Sequence, residues 1–440
     1  MAKKYFCSLD RHYSCEAEFD EPDRYRDLLR LTDENKLTPQ GSGVSYVAAS
    51  FGEGATVIGM RKFNRILDFD PESETVEAEA GITLGKLFDF LMPRGYYVSV
   101  QPGYPQLCLG GQIAANVHGK NQYIEGVFAG IVENLTLFHP SHGLITLSRE
   151  ERPELFELTC GGYGLTGIIV SARIKVSRLP GTTVTMQTIP VSSMEETCQV
   201  LTEAAHDYDL LQSWNNLSVL RGGMGKGFVI TGKFSETAAA EVEACQYKPL
   251  DPHNPGKFRP PVFGRYSMPF INWIYYFMES RKTDGVKIPL FDFLFPVVKK
   301  SFYFDFYGSR GFIEHQVLIP TEAALDYIRE LQKLLRGEGI PVPRASLKLF
   351  RGRRRLLQYN GTGLSLSMDL YRSPESFDLL AKIDALDCEF GAHANIIKDS
   401  RLSAATVRRQ YPGYGEFKER LHAFDPKRVF TSALSQRLEL

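Results

Sequence analysis

Short apolar runs separated by turn residues dominate the first 180 positions, and one stretch among them has helical spacing. Residues 57–60 form a compact apolar strand. Residues 66–69 and 75–80 alternate apolar and polar positions like the two arms of a hairpin, with Asp70-Pro71 opening the turn. Leu84, Leu87, Phe88 and Leu91 recur at helical intervals, predicting an amphipathic helix over 83–93 that Pro93 and Gly95 close. Strands are expected at 97–100, 131–138, 143–147 and 168–177. Tyr25, Leu28, Leu29 and Thr32 predict a further helix within 21–35, followed by a short strand and a glycine turn in LTPQGSGVSY. This succession indicates an α+β unit.

Beyond residue 180 the texture changes. Helices are expected at 193–206 and 322–336 and strands at 227–234 and 312–319. Residues 246–266, rich in proline and polar residues, predict a long loop or lid. The apolar run from Met268 to Met278 is too short to span a bilayer, which takes ~20 residues. It suits either a core helix or the mouth of a site that receives an amphiphile.

At 440 residues the chain exceeds one ordinary core. Its 51 basic and 52 acidic side chains nearly cancel, so no chain-wide field favours nucleic acid. Arg351, Arg353, Arg354 and Arg355 form the densest basic cluster and suit a solvated loop. The cysteines, at 7, 15, 108, 160, 198, 245 and 388, contain no CxxC pair, which argues against a metal knuckle or a disulfide framework and suits a reducing cytoplasm. The opening MAKKYFCSLDRHYS has no apolar stretch behind its lysines, so no signal peptide is expected.

Three glycine clusters carry the candidate chemistry: GSGVSY at 41–46, the stretch from Gly103 through Gly110-Gly111 to His118-Gly119-Lys120-Asn121, and GGYGLTG at 161–167. Glycines let successive backbone N–H groups converge on one concavity, which is how a loop holds a pyrophosphate without positive side chains. None of the clusters fits GxGxxG after a strand with an acid ~20 residues on, and none contains GK[ST].

In order, GSGVSY, VEAEAGITLGKL, QPG, GGQIAANVHGKN and ELFELTCGGYGLTGII resemble the FAD-binding half of the vanillyl-alcohol-oxidase superfamily. NVHGKN, Phe350 preceded by Lys348, IKDSRLSAATVRRQYP and the closing DPKRVFTSALSQRLEL further resemble the flavin subunits that oxidise decaprenylphosphoryl-ribose. Residues 20–180 and 300–440 carry the likeness; 181–300 carry it weakly. The resemblance implies an α+β fold: a PCMH-type FAD-binding domain of two α+β subdomains over 1–180, and a substrate (cap) domain with an antiparallel sheet flanked by helices over 181–390. Residues 391–440 would return to the first domain.

By position, Pro39, Gly41, Ser42, Gly43, Val44, Ser45 and Tyr46 would wrap the diphosphate. Gly103, Cys108, Gly110, Gly111, Ala115, Asn116 and His118 would line the flavin and its phosphate arm, Ile168 would meet the adenine, and Asn395 stands where the family has a flavin-contacting tyrosine. Many relatives tether FAD through a histidine where this chain has Val44, so non-covalent FAD is implied. Lys398, His118 and Lys120 are the implied catalytic residues. Tyr46, Glu314, Gln316, Lys348, Ser367 and Lys398 would line the substrate. No metal is implied.

Ser367 stands where those flavin subunits carry a cysteine, and Glu314-His315-Gln316 replaces Gln-Tyr-Gln, which changes the hydrogen-bond inventory of the pocket. The expected activity is hydride transfer from a secondary alcohol of a polyprenyl-phospho-sugar, a nucleoside or a cyclitol to FAD. It could serve as the oxidative half of an epimerisation with a separate NAD(P)H-dependent reductase. The alternatives are a sugar-lactone or alditol oxidase using oxygen, and a non-catalytic binding protein. The expected location is the cytoplasm, with peripheral contact at the inner membrane face.

Overall fold

Three sheets organise the chain in the computed structural model, which describes residues 2–218, 223–235, 247–254, 256–264 and 267–440. Of the sequence expectations, Cys245 and residues 246, 255, 265 and 266 of the proline-rich stretch lie outside the described residues. The first sheet has four strands in the order Ala2–Cys7, Ser14–Asp20, Thr56–Gly59, Leu37–Gln40. The outer pair Ala2–Cys7 and Ser14–Asp20 is antiparallel, and the other pairings are parallel. The second is a five-stranded antiparallel sheet, Ile66–Asp70, Thr75–Glu79, Ile168–Lys175, Val132–His139, Gly143–Ser148. Helix Leu84–Leu91 buries Leu84, Leu87, Phe88 and Leu91, and the Thr83 side chain caps it by accepting from the Lys86 amide. Gly95, with φ 79°, ends the following 3-10 turn, Met92–Arg94.

Two expectations shorten. The helix expected within 21–35 is a single turn, Tyr25–Leu28; Leu28 is buried and Tyr25 packs at the core's edge, while Leu29 remains 58% exposed. The strand expected at 97–100 is reduced to Tyr96–Tyr97, paired with Ser177–Arg178. Val98 and Val100 are buried without joining a ladder.

The third sheet has eight antiparallel strands in the order Val286–Pro289, Thr183–Val191, Gly227–Phe234, Leu210–Asn215, Arg344–Phe350, Gly363–Tyr371, Phe312–Pro320, His393–Ala394. On one face, Val317, Leu347, Leu366 and Leu370 pack against Leu201, Tyr327, Leu335, Leu379 and Ile383 of the helices Met194–Ala204, Ala324–Glu338 and Pro374–Glu389. The period-2 alternation puts polar residues on the opposite face: Glu314 and Gln316, Arg344, Ser346 and Lys348, then Ser365, Ser367 and Asp369. That polar face turns inward.

After strand His393–Ala394 the chain returns to the first sheet. Phe430 bridges Leu37, the Thr431 amide donates to the Leu37 carbonyl, and the Ala433 amide donates to the Phe51 carbonyl. This return brings the turn 395–400 beside the glycine loops. No helix among the described residues is long and apolar enough to cross a membrane.

Candidate active site

A cavity of about 360 Å³ lies between the glycine loops and the polar face of the eight-stranded sheet. Every residue assigned above to cofactor, substrate or catalysis lines it except Ile168. Ile168 is fully buried with Phe138 and Phe430, and strand alternation turns its neighbour Ile169 to the cavity instead.

At one end, the loop after Leu37–Gln40 is pinned by its carbonyls. The Leu9 amide donates to the Ser45 carbonyl at 3.0 Å and the Asp10 amide to that of Tyr46 at 3.3 Å. The N–H groups of Val44, Ser45 and Tyr46 have no acceptor among the described residues. Gly43 has φ 68°, and a Cβ on Gly41 would sit 1.9 Å from Cys108 Sγ, so a side chain there would have to displace the Cys108 thiol. Ser45 Oγ, Gln101 Oε1 and Asn116 Nδ2 are buried lining atoms without a protein partner. Unspent amide donors beside orphaned polar atoms of both kinds fit a ligand with a diphosphate and a heteroaromatic ring, which FAD supplies. Cys108 Sγ is engaged as the cap of helix Leu109–Ala114, accepting from the Gly111 amide.

The other end is polar and cationic. Lys398 Nζ lies 3.4 Å from Glu314 Oε1 and 3.5 Å from the centre of the Tyr46 ring. Burial opposes ionisation of Glu314, but the Lys398 and Arg344 cations and a 2.8 Å hydrogen bond from Ser367 outweigh it, holding the carboxyl down to about 2. His118 donates through Nδ1 to the Gly119 carbonyl, so Nε2 is the acceptor for Gln316 Nε2 at 3.2 Å. Burial, then Lys348, pushes this imidazole down to about 3, and it is neutral at pH 7. Lys348 makes no ion pair among the described residues; burial and the Lys398 charge push it down to about 8. Lys120 donates to the Leu294 carbonyl, and burial followed by Lys348 brings it to about 7.

Lys398 is held from behind. Asn395 donates to Gln316 Oε1 at 2.8 Å, and its carbonyl accepts from the Lys398 amide at 3.0 Å, which shapes the turn. Next along the chain, Asp399 pairs with His315 at 3.0 Å and with Arg401 at 3.0 Å. Burial disfavours the His315 cation, yet Asp387 and Asp399 lift it to about 10. One strand, Phe312–Pro320, therefore presents Glu314 and Gln316 to the cavity and braces the Lys398 turn with His315 on its other face.

Sequence reasoning missed Arg344, Asp369 and Tyr303. Arg344 Nε lies 2.9 Å from Asp369 Oδ2 and its Nη2 3.7 Å from Glu314, while Tyr303 donates to Asp369 at 2.6 Å. The alternation Arg344, Ser346, Lys348 was the available signal. Sequence reasoning also missed how residues 247–254 tie the second glycine stretch to the first strand. Gln106 exchanges two hydrogen bonds with the Leu250 backbone, and the Cys7 amide donates to His253 Nδ1.

The loop donors and the inward polar sheet define a flavin-dependent redox site. Residues 15–148 match a family model described as an FAD binding domain, and the chain is an FAD-dependent oxidoreductase. It is 27% identical over 418 residues to decaprenylphosphoryl-beta-D-ribose oxidase of Mycolicibacterium smegmatis, covering 91% of this chain and 88% of that one. It is 28% identical to L-galactono-1,4-lactone dehydrogenase 2 of Oryza sativa, over 32% of this chain and 24% of the relative. It is also 28% identical to D-lactate dehydrogenase of Anaerostipes hadrus, over 38% and 37%.

Proposed function

We propose that the chain oxidises a secondary alcohol of a sugar bearing an anionic group, with polyprenyl-phospho-sugars as the leading substrate class. The observation that carries this is the cation surplus at the polar end. Among the described residues, Lys348 faces the cavity without an ion pair, and Lys398 shares the one lining carboxylate, Glu314, with Arg344. A buried, unmatched ammonium is costly unless a ligand supplies its counter-charge. When bound, FAD supplies the hydride acceptor. Lys398 fixes positive charge at that end, and Gln316, whose Nε2 is held by His118 and Ser365, keeps one lone pair of Oε1 for a sugar hydroxyl. The near full-length similarity to decaprenylphosphoryl-beta-D-ribose oxidase supports this reading over lactone oxidation, since the lactone dehydrogenase matches only a third of the chain.

The division at 180 and 390 is part of the proposal, as is a separate NAD(P)H-dependent reductase should the reaction be half of an epimerisation. Non-covalent FAD is proposed on Val44 standing in the loop and on Cys108 being engaged as a helix cap. Acid precipitation is then expected to leave the yellow colour in the supernatant; colour retained by the pellet contradicts it.

The substrate test is anaerobic bleaching of the flavin across polyprenyl-phospho-sugars, nucleosides, cyclitols, alditols and lactones. Bleaching by a phospho-sugar supports the proposal, and bleaching by lactones or alditols alone overturns it. The same assay has a pH signature. Lys120 loses its proton from about 7 and Lys348 from about 8, so kcat/KM for an anionic substrate is expected to be level below pH 7 and to fall in two steps above it. In Lys348→Met the upper step should vanish.

A further inference from the structure

Helix Ser267–Glu279 does not behave as a core helix. Its buried side chains are Met268 and Asn272, whereas Phe270 and Trp273 are each 61% exposed and Ile274, Phe277 and Met278 are also exposed. The rings of Phe270, Trp273 and Phe277 stack in a row at 6.1 and 6.0 Å. One cation caps the row, Arg281 lying over Phe277 at 3.7 Å, and two more flank the helix, Lys226 over Tyr276 at 4.7 Å and Lys300 over the inward Tyr275 at 5.4 Å. In a chain of net charge −1, the stretch 247–300 has nine Lys and Arg against four Asp and Glu. The inner side of the helix packs, through Met268 and Ile271, into the cluster that contains the cavity-lining residues Tyr46, Leu250, Val297 and Phe304.

We infer that this helix lies flat on an anionic phospholipid bilayer, its Phe270–Trp273–Phe277 row inserted and its cations on the headgroups. An apolar row of stacked aromatics bordered by positive charge, on a helix too short to span, is the chemistry of interfacial binding. One helix diameter, ~10 Å, separates the row from the cluster that walls the cavity. The inference rests on the lipid-linked substrate proposed above and adds to it that the enzyme meets that substrate at the membrane surface.

The chain has two tryptophans, and Trp214 is already buried, so a vesicle-induced change in emission reports on Trp273. The full-length FAD-loaded protein should bind phosphatidylglycerol-containing vesicles with a blue shift, and bind pure phosphatidylcholine vesicles much more weakly. The triple variant Phe270→Ser, Trp273→Ser, Phe277→Ser should keep its FAD, keep its bleaching by a short-chain phospho-sugar, and partition roughly a hundredfold less onto vesicles. Wild-type protein that ignores anionic vesicles, or a triple variant that binds them equally, overturns the inference. A wild-type dimer that the triple variant splits overturns it in favour of a second copy as occupant. Vesicle binding without bleaching by any phospho-sugar, short or long, would instead condemn the substrate proposal and leave the docking surface standing.

Discussion

Lys398→Ala is expected to retain FAD and slow anaerobic flavin reduction by roughly 10²–10³-fold, the scale for removing one fixed charge from a preorganised redox site. The substitution should leave the turn intact, at some cost in stability from the Glu314 charge it uncovers. The turn is set by backbone and by Asn395 and Asp399, and among the described residues the Lys398 side chain itself is held only by Glu314 and the Tyr46 ring. Stopped-flow absorbance with saturating phospho-sugar separates the outcomes. Loss of the reductive rate at unchanged FAD content supports a catalytic role, and Lys398→Arg should recover part of it. Near-normal reduction by the alanine variant would remove Lys398 from the chemistry.

The largest stability effect is expected at Arg344. Its guanidinium answers two buried carboxylates, Asp369 at 2.9 Å and Glu314 at 3.7 Å. Removing the cation from a buried ion pair costs about 3–5 kcal/mol; a side chain still 33% exposed through the cavity places Arg344→Met nearer about 2–3 kcal/mol. Chemical denaturation should register that loss, and adding Asp369→Asn should restore part of it because the stranded charge goes too. The pH dependence has a definite sign. Glu314, ordinarily near 4.5 and held down to about 2, contributes stability that is complete above pH 4.5 and lost as pH falls toward 2. Wild type and Arg344→Met should therefore approach one another in acid. A variant as stable as wild type at pH 7 contradicts the network.

The glycine loops were legible because their constraint is local. Gly43 needs its positive φ, so the requirement is written into the residue type, whereas the crowding of Gly41 by Cys108 emerges only in the fold. The hairpins and the helix Leu84–Leu91 were legible from periodicity for the same reason. Arg344 and Asp369 were not, because an alternating Arg-x-Ser-x-Lys strand has the pattern of a solvated face; only packing against the glycine loops and the returning turn 395–398 makes that face interior. Ile168 and Ile169 differ by one position, and only the pairing with Val132–His139 decides which meets the cavity. Helix Ser267–Glu279 is apolar on most sides, and composition cannot distinguish a core helix from one that keeps its aromatics outside.

The central claim is that the polar end of the cavity delivers a sugar carbinol to FAD. Its most direct test is single-turnover anaerobic reduction with a polyprenyl-phospho-sugar deuterated at the reacting carbon. Bleaching of the flavin band that slows several-fold with deuterium and collapses in Lys398→Ala is the expected result. Flavin that stays oxidised with every sugar offered, or is reduced at a rate indifferent to deuterium and to Lys398, would contradict it.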